Sequence, residues 1–242
     1  MSAAVESIQP VILTTPLRDP AGVERMIAAL STDPRIAVPI VHRDQRREGA
    51  ALATKEALRR GAAAGEGQHV LFLEDDVDID PMASSRVATT EFPDGVGVIS
   101  FCDMREVPEF SPVGLYRRSA LGADGRGWWG NQALLIHHEI AAMCVAADWF
   151  APEIEESPGV QAHRVAYGDD GLNCSDLRLA LLVHRHGGAR RDYAVHVPSL
   201  FRHVGGDSAC FPGRGMGERE TRNWIGDRRR FGIDATLAEQ PR

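Results

Sequence analysis

Apolar positions along this chain follow two rhythms. Val11-Ile12-Leu13, residues 36–41, Val70-Leu71-Phe72-Leu73, residues 96–101 and residues 132–136 are short, nearly continuous apolar runs, the character of strands buried on both faces. Between them lie stretches whose apolar residues recur at helical spacing. Val23, Met26, Ile27 and Leu30 share one face, with Asp19 placed as a cap and Pro20 at the first helical position. An alanine-rich helix is predicted over residues 50–64, a short one over 84–90, and two more over about 138–147 and 175–184. A late strand is expected over 194–197. The opening order of strand, helix, strand, helix, strand implies parallel strands joined by right-handed crossovers. Residues 105–127, rich in proline, glycine and charge, read as a long loop over the carboxyl edge of the sheet. The glycine-rich stretch 205–217 reads as mobile.

The third apolar run changes the picture, because it ends abruptly in charge. Glu74, Asp75, Asp76 and Asp78 place four carboxylates within five residues of the end of that strand. A solvated turn needs one Asp or Asn, whereas four neighbouring carboxylates repel one another, and a bound cation relieves that repulsion. Ligands of open α/β sheets bind just beyond the carboxyl ends of the strands, so the cluster falls where a hard cation bridging phosphates is useful.

Composition narrows the class. A chain of 242 residues can bury a sizeable core, and one large α/β domain is expected rather than two small ones. Hydrophobic residues at 43% and charged residues at 25% exclude wholesale disorder. A formal charge of −7 favours solubility and gives no global signature of nucleic-acid binding. Cys102, Cys144, Cys174 and Cys210 are scattered without a CxxC pair, so free thiols in a reducing compartment are expected. The first ten residues lack the basic start and apolar core of a secretion signal. The apolar stretch 133–150 is broken by His137, His138, Glu139 and Asp148. No transmembrane segment is therefore expected, and the expected location is the cytoplasm, that of the host if the chain is phage-encoded.

Three motifs, in this order, resemble the GT-A fold of nucleotide-sugar glycosyltransferases. Leu73-Glu74-Asp75-Asp76 at a strand end is similar to that family's DXD-type motif in an EDD form. Trp128-Trp129-Gly130-Asn131-Gln132 before a strand and helix resembles its glycine-aromatic strand beside the donor sugar. Val197-Pro198-Ser199-Leu200-Phe201-Arg202-His203-Val204-Gly205 resembles an ending in which the histidine completes a metal site. The resemblance covers about residues 11–208. It implies a single Rossmann-like α/β domain over residues 1–242, a mostly parallel sheet flanked by helices. Residues 11–100 would form the nucleotide-binding half, 101–208 the acceptor half, and 209–242 a flexible lid and tail.

The resemblance also implies roles. Asp75 contacts the nucleotide ribose, and Asp76 with His203 holds Mn²⁺ or Mg²⁺; Asp78 offers a second register for the metal. The imidazole tilts the choice toward Mn²⁺. Thr14, Pro16, Arg18 and Arg47 lie in the loops that hold base and ribose, although solvated surface arginines explain Arg18 equally well. Trp129 is the candidate wall beside the sugar, and Arg214, in the glycine-rich segment, the candidate partner of phosphate oxygens. Tyr167-Gly168-Asp169-Asp170 resembles the acidic pair of inverting members, which makes Asp170 the candidate general base and Asp169 its fallback. Helix capping is the competing role for that pair.

The expected activity is transfer of a sugar from a nucleoside diphosphate donor, a UDP-sugar first, to a hydroxyl acceptor. Two acceptors fit: an envelope glycan or lipid-linked sugar, or a hydroxymethylated pyrimidine in phage-type DNA. From Pro212 onward seven arginines face five carboxylates, with Trp224 and Phe231 between them, which suits an anionic polymer or a solvated amphipathic helix. Two alternatives compete. A metal-dependent nucleotidyltransferase would carry a glycine- and lysine-rich phosphate loop after the first strand, and Thr14-Thr15-Pro16-Leu17-Arg18 lacks glycine. A non-catalytic sugar- or nucleic-acid-binding module would bind without turnover.

Overall fold

The computed structural model describes residues 7–45, 49–65, 67–104, 107–121, 132–167, 174–204, 206–207, 215–216, 221 and 223–230. β1 (Ile8–Thr14), α1 (Pro20–Leu30), β2 (Ile40–Arg43), α2 (Ala50–Ala64) and β3 (His69–Glu74) alternate as the pattern predicts, and β1 pairs in parallel with both β2 and β3. Next come β4 (Val77–Ile79), α3 (Ala83–Thr89), β5 (Val96–Ser100), β6 (Gly114–Ser119), β7 (Ala133–Ile136) and α4 (His138–Ala146). The short α5 (Pro152–Glu155) and α6 (Pro158–Tyr167) precede α7 (Ser175–His186) and β8 (Asp192–Val197). A cis Val197–Pro198 peptide lies between β8 and β9 (Phe201–His203). β10 (Gly206–Asp207) pairs with β11 (Gly215–Met216), and α8 (Ile225–Arg230) ends the described chain.

Seven strands form the central sheet in the order β2-β1-β3-β7-β5-β8-β6. β7 is antiparallel to both β3 and β5, β8 is parallel to β5, and β6 is antiparallel to β8. Five strands therefore run one way and two the other. The fold is mixed α/β and Rossmann-like, a mostly parallel sheet flanked by helices, as expected.

The unbroken apolar runs have a direct cause: both faces of the sheet are covered, so successive residues of a strand enter different cores. Val70 and Phe72 of β3 join Val11, Leu134, Ile136 and the inner faces of α2, α4 and α7. Leu71 and Leu73 join Ile12, Leu135 and Ile99 with Val23, Met26 and Leu30 of α1 and Val87 of α3. Close approach is built in at Gly61 of α2, where an added Cβ would stand 2.7 Å from a Val11 methyl and 2.9 Å from a Val70 methyl. At α1, Asp19 accepts a hydrogen bond from the Ala21 N–H at 3.0 Å and Pro20 opens the helix, the cap read from the sequence.

Four features depart from the sequence reading. The expected loop 105–127 contains β6, an edge strand that buries little on either face and so shows no period-two pattern. Arg117 of β6 instead pairs with Asp192 of β8, with Nε 2.7 Å from the carboxylate. The strand placed at 36–41 begins only at Ile40, because Pro39 has no N–H for the ladder, and Ile36 is left in a lone bridge to Ile8. α5 and α6 were not anticipated at all. Part of the expected flexible tail is packed: Ile225 and Arg228 are buried, and Arg229 forms two hydrogen bonds with buried Asp80, at 2.8 and 3.1 Å.

Candidate cation and nucleotide site

The carboxyl ends of β1 and β3 lie side by side, which brings the loop after β1 against the acidic turn after β3. Thr14, the last residue of β1, donates its hydroxyl proton to Asp75 Oδ2 at 2.5 Å. Arg18, four residues on, places Nε 3.4 Å from Asp75 Oδ1 and Nη2 3.4 Å from Asp76 Oδ2. Burial pushes the Asp75 carboxyl above its ordinary value, against the lowering pull of the Thr14 hydrogen bond and the Arg18 charge.

A second element closes the other side. β4 and β9 pair antiparallel, with Val77 opposite His203 and Asp78 opposite Arg202. The Asp76 backbone carbonyl accepts the Val204 N–H at 2.9 Å, which fixes β9 against the acidic turn. His203 then stands with Nε2 3.3 Å from Asp76 Oδ2. Two ligands about 2.1 Å from one cation and at right angles to each other are about 3 Å apart, so this separation suits a shared ion. The other oxygen of Asp76, Oδ1, is buried without a hydrogen-bond partner. Thr15 Oγ1 and Gln132 Oε1 are buried and unpartnered too. Both belong to this end of the sheet, since Thr15 follows β1 and the Gln132 carbonyl accepts the Glu74 N–H at 3.1 Å. Buried oxygens without partners are costly in a native fold. All three belong to the same end of the sheet, where a cation or a hydrogen-bond donor would satisfy them. Oxygen and imidazole donors fit Mn²⁺ or Mg²⁺, which takes its remaining ligands from water and phosphate.

The sequence-derived residues divide cleanly. Thr14, Arg18, Asp75, Asp76 and His203 converge. Asp78, the second register, is turned to Arg202, whose Nη2 lies 2.7 Å from its carboxylate, on the strand position next to His203. Pro16 is exposed on the loop after β1. Arg47, Trp129, Asp169, Asp170 and Arg214 lie outside the described residues.

Two contributors were not singled out from sequence. Thr221 reaches back from the tail so that its Oγ1 accepts the His203 N–H at 3.0 Å, 18 residues away. Below it, Asn223 donates to Asp103 Oδ2 at 3.0 Å, and Arg228 donates to Asn223 Oδ1 at 3.1 Å. Nothing in residues 221–228 marks the first two contacts, because His203 lies 18 and Asp103 120 residues away along the chain. Gln132 closes the aromatic motif read from the sequence, but its own side chain has no role in that reading.

No family model matches the chain, and no curated protein matches it. Among the described residues no helix is long and apolar enough to cross a membrane. Among solved structures the chain is similar to the inositol-1-phosphate CTP transferase from T. maritima, with a TM-score of 0.34 and 13% identity over 78% of this chain and 65% of that one. The chain thus spans less than two thirds of the length of that enzyme.

Proposed function

We propose that this protein is a divalent-cation-dependent transferase acting on a nucleotide-activated substrate, with a nucleoside diphosphate sugar, UDP-linked first, as donor and a hydroxyl group as acceptor. The observation that carries the reading is Asp76: one oxygen is shared by Arg18 and His203, while the other is buried with no partner at the carboxyl end of the central strand. Asp76 and His203 hold Mn²⁺ or Mg²⁺. When bound, that ion supplies Lewis-acid neutralisation of the charge that grows on a diphosphate leaving group. Asp75, oriented by Thr14, takes the ribose hydroxyls. Arg18 offsets the carboxylates when no cation is present, and its guanidinium is the nearest donor for a phosphate oxygen. Asp170 removes the acceptor proton, with Asp169 as fallback. Trp129 and Arg214 complete the sugar and phosphate contacts. A glycan and a hydroxymethylated pyrimidine in DNA remain the two acceptor classes, and the cytoplasm the proposed location.

Nucleotidyl transfer is the second reading, because the same cation seat would serve a nucleoside triphosphate. Against it stands the loop after β1, which lacks the glycines of a phosphate cradle. A calorimetric panel of nucleotides, sugar nucleotides and CTP, with and without Mn²⁺, separates the two by naming the ligand. Asp76→Ala is expected to abolish metal-dependent nucleotide binding and leave the fold intact; unchanged binding of UDP with Mn²⁺ would refute the assignment. Asp170→Asn is expected to keep donor binding and lower transfer by about 10²–10⁴, and wild-type turnover there would move the base elsewhere.

A further inference from the structure

A second group of ligand-forming side chains sits at the opposite end of β3. His69 is its first residue, and antiparallel β7 runs back to the same place, so that His137 and His138 follow its last residue and open α4. Each of the three imidazoles offers one nitrogen within 4.8 Å of the others, a group of three among the described residues whose donor atoms could hold one metal ion. Ring centroids stand 4.7, 5.4 and 4.2 Å apart. His69 and His137 are buried and His138 half-buried, while Phe92 lies edge-on to the rings of His69 and His137.

Backbone hydrogen bonds decide which nitrogens are available. The His138 N–H donates to His69 Nδ1 at 3.2 Å, and the Glu139 N–H donates to His137 Nδ1 at 3.3 Å. Both rings therefore keep a lone pair on Nδ1 and a proton on Nε2 in their neutral forms. His138 Nδ1 is buried with no hydrogen-bond partner. These long capping bonds are ones a cation can displace, and that orphaned nitrogen has nothing to lose. Glu139 Oε2, which also accepts from Arg190, lies 3.7 Å from His137 Nδ1 as a nearby oxygen donor.

We propose that His69, His137 and His138 form a site for a borderline-soft transition-metal cation, Zn²⁺ foremost, that pins the start of β3 to the corner between β7 and α4. Imidazole sets select Zn²⁺, Ni²⁺ or Cu²⁺ over Mg²⁺ and Ca²⁺, so the hard ions do not fill this site. With Zn–N near 2.0–2.1 Å, nitrogens around a tetrahedral ion are about 3.4 Å apart. From separations of up to 4.8 Å the rings must close by as much as about 1.4 Å, a side-chain adjustment around fixed strand and helix ends. The pole of the sheet that holds it is about 20 Å from the acidic cluster, at about 3.3 Å per residue of β3.

The test uses the full chain, stripped with a chelator, titrated with Zn²⁺ at pH 7.5 against a chromophoric competitor, and separately with Co²⁺ followed by its visible d–d absorption. At this site one equivalent of Zn²⁺ is expected, weakened at least about tenfold in His138→Ala and unchanged in His184→Ala on the exposed end of α7. Asp76→Ala should bind Zn²⁺ at this site as wild type does, which separates this proposal from the nucleotide site. If His138→Ala does not fold, the wild-type Co²⁺ spectrum decides: intense tetrahedral bands with nitrogen ligation support the site. Equal Zn²⁺ affinity in wild type and folded His138→Ala, absence of stoichiometric binding, or a weak octahedral Co²⁺ spectrum overturns it.

Discussion

β3 carries two charged ends that solve opposite problems. At its carboxyl end, Asp75 and Asp76 are partly withdrawn from water among Thr14, Arg18 and His203, and buried oxygens are left without partners. At its amino end, three imidazoles crowd together, and the fold favours the neutral form of His137. Burial, with Arg190 and the other two histidines nearby, holds His137 down at about 4. The difference teaches where ligand energy is stored. The acidic end keeps a buried carboxylate oxygen of Asp76 without a hydrogen-bond partner, on which the proposed cation site rests, whereas the histidine end holds in His137 a base that burial keeps unprotonated.

Acid should therefore act on the two ends with opposite sign, and substitutions can break the comparison. The largest expected effect is on ligand binding. Asp75→Asn removes a buried charge whose folded-state value is raised, a group that stabilises the fold only at low pH and loses that contribution as pH rises through its folded value. At pH 7 the variant should melt no lower than wild type while its affinity for nucleotide with Mn²⁺ falls by about tenfold or more, as for loss of one charged hydrogen-bond partner. A melting temperature several degrees lower together with intact nucleotide binding would show that Asp75 is structural.

The second effect is a pH profile. His137 has a lowered folded value, so its contribution is fully present above about 6.5 and is lost as pH falls toward about 4. Buried His196, also held at about 4 chiefly by desolvation, acts in the same window. His137→Asn keeps an oxygen that can cap α4, since Asn is among the best N-cap residues, but carries no titrating ring. Thermal melts from pH 7 to pH 4 should fall less steeply in this variant, with nucleotide binding unchanged at pH 7.5. An acid limb identical to wild type would remove His137 from the account.

The smallest effect tests the strap between tail and site. Thr221→Val deletes the acceptor for the His203 N–H, at a cost of about 0.5–1.5 kcal/mol, or about 1–6 °C in melting temperature for a chain of this size. Metal-dependent nucleotide binding should weaken in parallel, because His203 loses one of its restraints. A stability loss without any change in binding would confine Thr221 to packing.

Much of this architecture was legible in the chain itself. Continuous apolar runs mean strands covered on both faces, and the four carboxylates that follow Leu73 marked the sheet end where Thr14, Arg18, Asp75, Asp76 and His203 converge. Asp19 and Pro20 announced α1 through local bonding alone. What sequence could not show is everything that depends on distance across the chain. β6 is an edge strand whose half-exposed faces carry no period, so only its ladder to β8 reveals it. Thr221 and His203 are joined by tail docking, and His69 meets His137 and His138 only because β7 runs antiparallel to β3 and returns the chain to the strand's first residue. Local patterns record burial and capping, which act between neighbours. Convergence of polar groups at one point is set by strand order and direction, and these arise from the packing of the whole sheet.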